Sequence, residues 1–126
     1  MTLWLIALGG GAGAMTRFAV ATWIQSIYPA STFPWGTFVV NVTGCFVIGV
    51  VAQVAESSGL LTPQLRALLV IGFLGGYTTF STFANEGFAL AQDADWSAAT
   101  VYLGGQVVLG LVAVWLGRAL IVAAWR

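Results

Sequence analysis

Residues 72–83 read Gly72-Phe73-Leu74-Gly75-Gly76-Tyr77-Thr78-Thr79-Phe80-Ser81-Thr82-Phe83. They lie inside an apolar run from Gln64 to about Gln92. A bilayer core about 30 Å thick asks for roughly 20 helical residues, so the run is long enough to cross. A Gly-Gly pair followed by β-branched hydroxyl residues suits a continuous helix poorly. The stretch therefore predicts a membrane helix broken near its middle. Irregular backbone at that depth is tolerated where it is buried in protein or lines a cavity. Broken helices expose carbonyl ends that can hold a cation and N–H ends that favour anions. The plain alternative is an inert kink, but hydroxyls and aromatics gathered at the same place favour a site.

Working outward, the rest of the chain has the same character. Of its 126 residues, 60% are apolar and 6% charged, where a soluble domain carries about 25% charged residues. Four arginines, two aspartates and two glutamates cannot cover a soluble surface. Leu3 to about Ile27 forms a first span, ended by a loop with Pro29 and Pro34. Trp35–Ala55 forms a second, followed by Glu56-Ser57-Ser58-Gly59 and a loop to Pro63. Residues 64–92 are the third, Asp93-Ala94-Asp95 a charged turn, and 96–125 the fourth. The reading is an all-α integral membrane protein, one four-helix transmembrane domain over residues 1–126. Trp4, Trp23, Tyr28, Trp35, Trp96 and Trp125 fall near the span ends, where aromatic belts sit. The N-terminal segment lacks the positive start of a cleavable signal and is long enough to span.

An even number of spans puts both termini on one side. Arg66, Arg118 and Arg126 lie towards that side and Arg17 towards the other, a weak bias that leaves either orientation, or both, open. Gly9 and Gly13, like Gly72 and Gly76, are spaced four apart, which lets helices approach closely. Small residues on several faces suggest more neighbours than one chain supplies, hence an oligomer.

Several chemistries are poorly supplied. With no lysine and no basic run, nucleic acid is an unsuited partner, because neutralising phosphates needs clustered cations. The absence of histidine and the single Cys45 argue against transition-metal and nucleophilic sites. Cys45 reads as a small packing group. Gly9-Gly10-Gly11-Ala12-Gly13-Ala14 matches a dinucleotide fingerprint, but it lies inside a span and the first acidic residue is Glu56. The match needs a strand before it and an acid about 20 residues on, so it is rejected.

Polar groups inside the spans are costly and mark a cavity or a partner. Thr37, Asn41 and Gly44 share one face of the second span. Asn41 is read either as an interhelical hydrogen bond or as an amide N–H offered to an anion. Phe80 and Phe83 share a face once helix resumes, flanking Ser81 and Thr82. Aromatic rings carry a positive edge, which a desolvated anion can meet without an ion pair. Glu86, three residues on, is placed to accept from a hydroxyl or to line a mouth. Tyr102 and Gln106, one turn apart in the fourth span, form either a polar strip or buried interhelical bonds. Arg17 is read as a vestibule charge that raises local anion concentration or as a snorkelling anchor.

The motifs Gly13-Ala14-x-x-Arg17-Phe18, Gly36-Thr37-x-x-Val40-Asn41-x-x-Gly44 and Gly72-Phe73-x-Gly75-Gly76-x-Thr78-Thr79-Phe80-Ser81-Thr82-Phe83 with Glu86, followed by Tyr102 and Leu116-Gly117, resemble the Fluc family of fluoride channels, also called CrcB proteins. The resemblance runs along essentially the whole chain, and its third-span motif is the specific part. It implies an antiparallel, dual-topology homodimer in the cell (inner) membrane, in contact with lipid. It also implies a passive fluoride-selective channel that prevents toxic accumulation, with two pores along the subunit interface. It makes Phe80 and Phe83 the pore phenylalanines, Asn41 the pore asparagine and Tyr102 the pore tyrosine. Ser81 and Thr82 become the pathway hydroxyls, and a structural sodium ion sits on the backbone carbonyls of Gly75 and Thr78. Gln106 departs from the serine or histidine the family leads one to expect, although its amide can still donate.

The physics agrees with that implication, since a small, strongly hydrated anion must exchange water for N–H, O–H and ring-edge donors weak enough to release it. A small multidrug exporter is also four short helices, but it needs a carboxylate in its first helix, and this one has none. A non-conducting scaffold would explain the glycines but not the polar groups gathered in the third span. A membrane enzyme would lack catalytic groups.

Overall fold

In a computed structural model, residues 2–125 are described, and Met1 and Arg126 lie outside them. Arg126, counted above in the charge bias, therefore has no structural account. The described residues are helical apart from short connections, and four segments are long and apolar enough to cross a membrane. Helix α1 is Thr2–Ile27, and α2 is Trp35–Ser58. The third span, Pro63–Gln92, is composite. A single turn, α3 (Pro63–Leu65), leads into a π-helical stretch (Arg66–Leu74) and a further turn, α4 (Gly75–Tyr77); α5 (Phe80–Gln92) completes it. Helix α6 is Trp96–Ala124.

The ends have local causes. Helix α2 runs three residues past the expected Ala55 because Gly59 supplies the left-handed residue that closes it, at φ 64°. Pro63 occupies the first turn of α3 behind Thr62, whose side chain accepts from Leu65 N–H. Asp95 caps α6 through Ala98 N–H at 3.1 Å.

Within the third span, Gly75 and Gly76 are helical, and the extended residues are Thr78 (φ −85°, ψ 158°) and Thr79 (φ −148°, ψ 119°). The sequence reading had weighted the glycine pair. Threonine is β-branched and suits extended backbone, whereas Gly76 is needed for contact with α1. A methyl group on Gly76 would strike the Gly10 carbonyl, and one on Gly13 would strike the Phe73 carbonyl. Gly9 and Gly72 face each other's helices in the same way, so α1 lies backbone to backbone against the third span. Gly49 and Gly117 do the same between α2 and α6. The glycines at 9, 13, 72 and 76, whose spacing suggested an oligomer, thus meet neighbours within one chain.

Arg118 forms a two-point pair with Glu56, at 2.9 and 3.0 Å, fastening α6 to the end of α2. The pair is exposed, and such pairs contribute little.

Gly13→Ala should force α1 away from the Phe73 carbonyl and destabilise the protein by about 1–3 kcal/mol, the usual cost of overpacking. Gly11→Ala meets nothing within 4 Å and should be neutral or slightly stabilising. Thermal unfolding of both variants in detergent checks the contrast.

Candidate functional site

Extended residues inside a span leave backbone groups without helical partners. For Thr79 those groups are met by one side chain. Asn41 Oδ1 accepts from Thr79 N–H at 2.9 Å, and Asn41 Nδ2 donates to the Thr79 carbonyl at 3.1 Å. The carboxamide thus pairs with Thr79 as a neighbouring strand would. Asn41 Nδ2 also donates to Gln106 Oε1 at 2.7 Å. The Thr79 hydroxyl accepts from Thr82 N–H at 3.3 Å and so caps α5. Helix α5 therefore restarts at Phe80 with its first turn fixed.

A second cluster ties three helices together. Glu86 on α5 accepts from the Thr37 hydroxyl of α2 at 3.1 Å and from the Tyr102 hydroxyl of α6 at 2.5 Å. Tyr102 is fully buried and Gln106 is 8% exposed. Both residues bond across helices, Tyr102 to Glu86 and Gln106 to Asn41. Among the described residues the one ion pair joins Arg118 and Glu56, so Glu86 is held by hydroxyl donors. A carboxylate removed from water needs such donors.

Two hollows flank Thr79, which lines both. The larger, a groove of about 470 Å³, is lined by Asn41, Thr78, Phe80, Phe83 and Gln106 among apolar side chains, with Gly75 at its wall. The smaller, about 230 Å³, is lined by Arg17, Thr37 and Thr82. Phe80 and Phe83 lie 5.6 Å apart between ring centroids, and Phe83 lies 5.8 Å from Tyr102 within the same chain. Phe80 is 80% exposed. Ser81 is also exposed and lines neither hollow. The structure thus brings Asn41, Phe80, Phe83 and Gln106 to one groove and Arg17, Thr37 and Thr82 to the hollow behind it. Glu86 and Tyr102 fasten the helices around them.

Sequence reading had passed over Thr79, although a threonine three residues before Thr82 at a helix restart is a capping signal. It also passed over Arg17 Nη1 donating to the Thr78 carbonyl at 3.4 Å, which joins α1 to the extended pair. No spacing rule links residues that far apart.

Among the described residues no three His, Cys, Asp or Glu side chains cluster as metal ligands. Backbone oxygen is available instead. In a regular helix the Gly75 carbonyl would accept from Thr79 N–H and the Thr78 carbonyl from Thr82 N–H. Here those amides go to Asn41 Oδ1 and Thr79 Oγ1. Both oxygens fit a hard cation in kind, since unwound carbonyls are sodium ligands, but the Thr78 carbonyl already accepts from Arg17 Nη1 at 3.4 Å. Two are fewer than a hard cation's usual shell.

An apolar four-span chain with a polar cluster beside an extended segment has the form of a small membrane channel or transporter. Comparison with known proteins narrows this. Residues 4–118 match the family described as CrcB-like protein, Camphor Resistance (CrcB), and the chain belongs to that family. Similar proteins include the fluoride-specific ion channel FluC of Acidobacterium capsulatum, 45% identical over 115 residues, 91% of this chain and 90% of that one. The FluC channel of Nitrosococcus oceani is 46% identical, over 89% of each chain. That of Nitratidesulfovibrio vulgaris is 45% identical, over 90% of each. These relatives are channels, not enzymes, and the chain is a multi-pass membrane protein.

Tyr102→Phe should cost about 1–3 kcal/mol, because it withdraws a donor from a partly buried carboxylate. The cost should shrink in a Glu86→Leu background. Denaturant unfolding of the four proteins of that cycle measures it, and equal costs in both backgrounds would place the energy elsewhere.

Proposed function

We propose that this chain is a passive, fluoride-selective channel that lets fluoride leave the cell across the inner membrane. The observation that carries the reading is the groove itself. In an otherwise apolar four-span protein, Asn41, Thr79 and Gln106 meet Phe80 and Phe83 at an extended segment. Membership of a family whose similar members are named fluoride-specific channels supports it. In this reading Thr78 and Thr79 are a functional break within the membrane. Fluoride exchanges water for amide and hydroxyl donors and for the ring edges of Phe80 and Phe83. Arg17, beside the second hollow, raises the local anion concentration.

The channel works as an antiparallel homodimer with a pore along each side of the interface. Phe80 at 80% exposure and an open groove leave the pathway half-walled in one chain, and a second copy completes it. The Gly75 and Thr78 carbonyls of the two copies would hold a sodium ion, whose positive charge would favour a nearby anion.

Purified protein reconstituted in liposomes loaded with potassium fluoride, with valinomycin to carry charge, should release fluoride to an external electrode without a proton gradient. No release, or release only with a proton gradient, would overturn the reading. Phe80→Ile and Phe83→Ile fill the space without a positive ring edge and should lower flux per folded dimer about tenfold or more. Asn41→Asp should be at least as damaging. Unchanged per-dimer flux in all three would remove these residues from the pathway.

Replacing sodium by a large organic cation, with time for exchange, should also lower flux. Normal conduction by fully depleted protein would refute the sodium assignment. Labelling of both ends in intact cells should find two orientations, and a single orientation would refute the antiparallel arrangement.

A further inference from the structure

Residues 28–34, which join α1 to α2, are fastened by one side chain. Gln25, in the last turn of α1, accepts from Gly36 N–H at 3.3 Å, which fixes the oxygen end of its amide. Its Nε2 then donates to the carbonyls of Ser31 and Phe33, each at 3.4 Å. The Phe33 carbonyl also accepts from Trp35 N–H at 2.9 Å, and Phe33 N–H donates to the Ser31 hydroxyl at 3.2 Å. Both backbone groups of Phe33 are therefore engaged, and the ring of Pro34 restricts the residue that follows. A connection between helices is ordinarily the looser part of a fold. This one is tied down, and it carries an aromatic side chain in among the helices.

The Phe33 ring packs edge-on against Tyr102, with centroids 5.5 Å apart and planes at 84°. Tyr102 is fully buried and lies 5.8 Å from Phe83, which lies 5.6 Å from Phe80. A file of rings thus runs from the connection, through α6, to the two phenylalanines of the groove. These are the spacings of rings in contact, and close-packed side chains pass on a displacement rather than absorb it. We propose that Phe33 is a positioning residue for the groove, acting through Tyr102 on Phe83, and that Gln25 is the latch that keeps it in place. The inference rests on the fluoride-channel reading above. Phe33 lines neither hollow, so it acts on where the rings stand and not by touching the ion. With the latch removed, the connection loses three hydrogen bonds, Phe33 draws back, and Tyr102 and Phe83 settle in new positions.

The test uses the full chain. Gln25→Leu removes the latch, and Phe33→Leu keeps an apolar side chain but removes the ring. Thr32→Ala, at an exposed residue of the same connection, is the control. Carbon-13 labelled tyrosine and phenylalanine report the ring signals of Tyr102 and Phe83, and fluoride release from liposomes is measured per folded protein. Both Leu variants should shift the two ring signals and lower flux about threefold to tenfold, the scale of coupling through packed side chains. Thr32→Ala should do neither. A purely structural role predicts fewer folded molecules, each with wild-type flux and wild-type ring signals, and that result would overturn the inference. Lowered flux with both ring signals unmoved would overturn it equally, because the effect would not pass through Tyr102 and Phe83. If Phe33→Leu fails to fold, Gln25→Leu decides, since its side chain lies outside the file of rings. If the wild-type protein releases no fluoride, the channel reading fails, and the ring signals still show whether Phe33 positions Tyr102 and Phe83.

Discussion

The structure turns on one carboxamide. Asn41 pairs with both backbone groups of Thr79, and so allows an extended residue to exist inside an apolar span. Without it, an N–H and a carbonyl would lie in a low-dielectric setting with no partner, at a cost of several kcal/mol each by water-to-alkane transfer, or about 1–3 by protein mutational data. The consequences spread from there. Because Thr79 N–H is satisfied by Asn41, the Gly75 carbonyl lacks that helical partner. Because the Thr79 hydroxyl caps Thr82 N–H, the Thr78 carbonyl is free of its helical partner. Helix α5 then starts where Phe80 and Phe83 meet the groove.

Close packing holds the frame around this point. Glycines at 9, 13, 72 and 76 bring α1 onto the third span, and Gly49 and Gly117 bring α2 onto α6. Interior contacts of this kind suit a medium in which apolar side chains gain nothing by leaving lipid. The Glu86 cluster adds a polar tie among α2, α5 and α6. The groove face is among the faces the frame leaves uncovered, with Phe80 exposed.

Much of this was written plainly in the sequence. The spans and their ends were legible because Pro29, Pro34, Gly59, Pro63 and Asp93–Asp95 punctuate long apolar runs. The groove residues were legible because Asn41, Thr78–Thr82 and Gln106 stand out against hydrocarbon. The location of the extended residues was not. Gly75-Gly76 looked like the weak point, yet both are helical and Gly76 is packed against α1, which only tertiary structure reveals. The π-helical stretch Arg66–Leu74 left no trace, because a run apolar on all sides shows no periodicity to distort. The partners of Arg17 and Glu86 lie 61 and 49 residues away for Thr78 and Thr37, beyond any local rule. Asn41 was read either as an interhelical hydrogen bond or as an amide N–H offered to an anion, and its bonds to Thr79 and Gln106 could be seen only once Thr79 was placed.

The extended segment depends on Asn41 holding Thr79. Residue-resolved amide hydrogen exchange, in the wild-type protein and in Asn41→Ala, measures this directly. Thr79 N–H should exchange slowly in the wild type and far faster in the variant, while Thr78 N–H, bonded to the Leu74 carbonyl at 3.0 Å, should be little changed. Equal exchange of Thr79 in the two proteins would contradict the account.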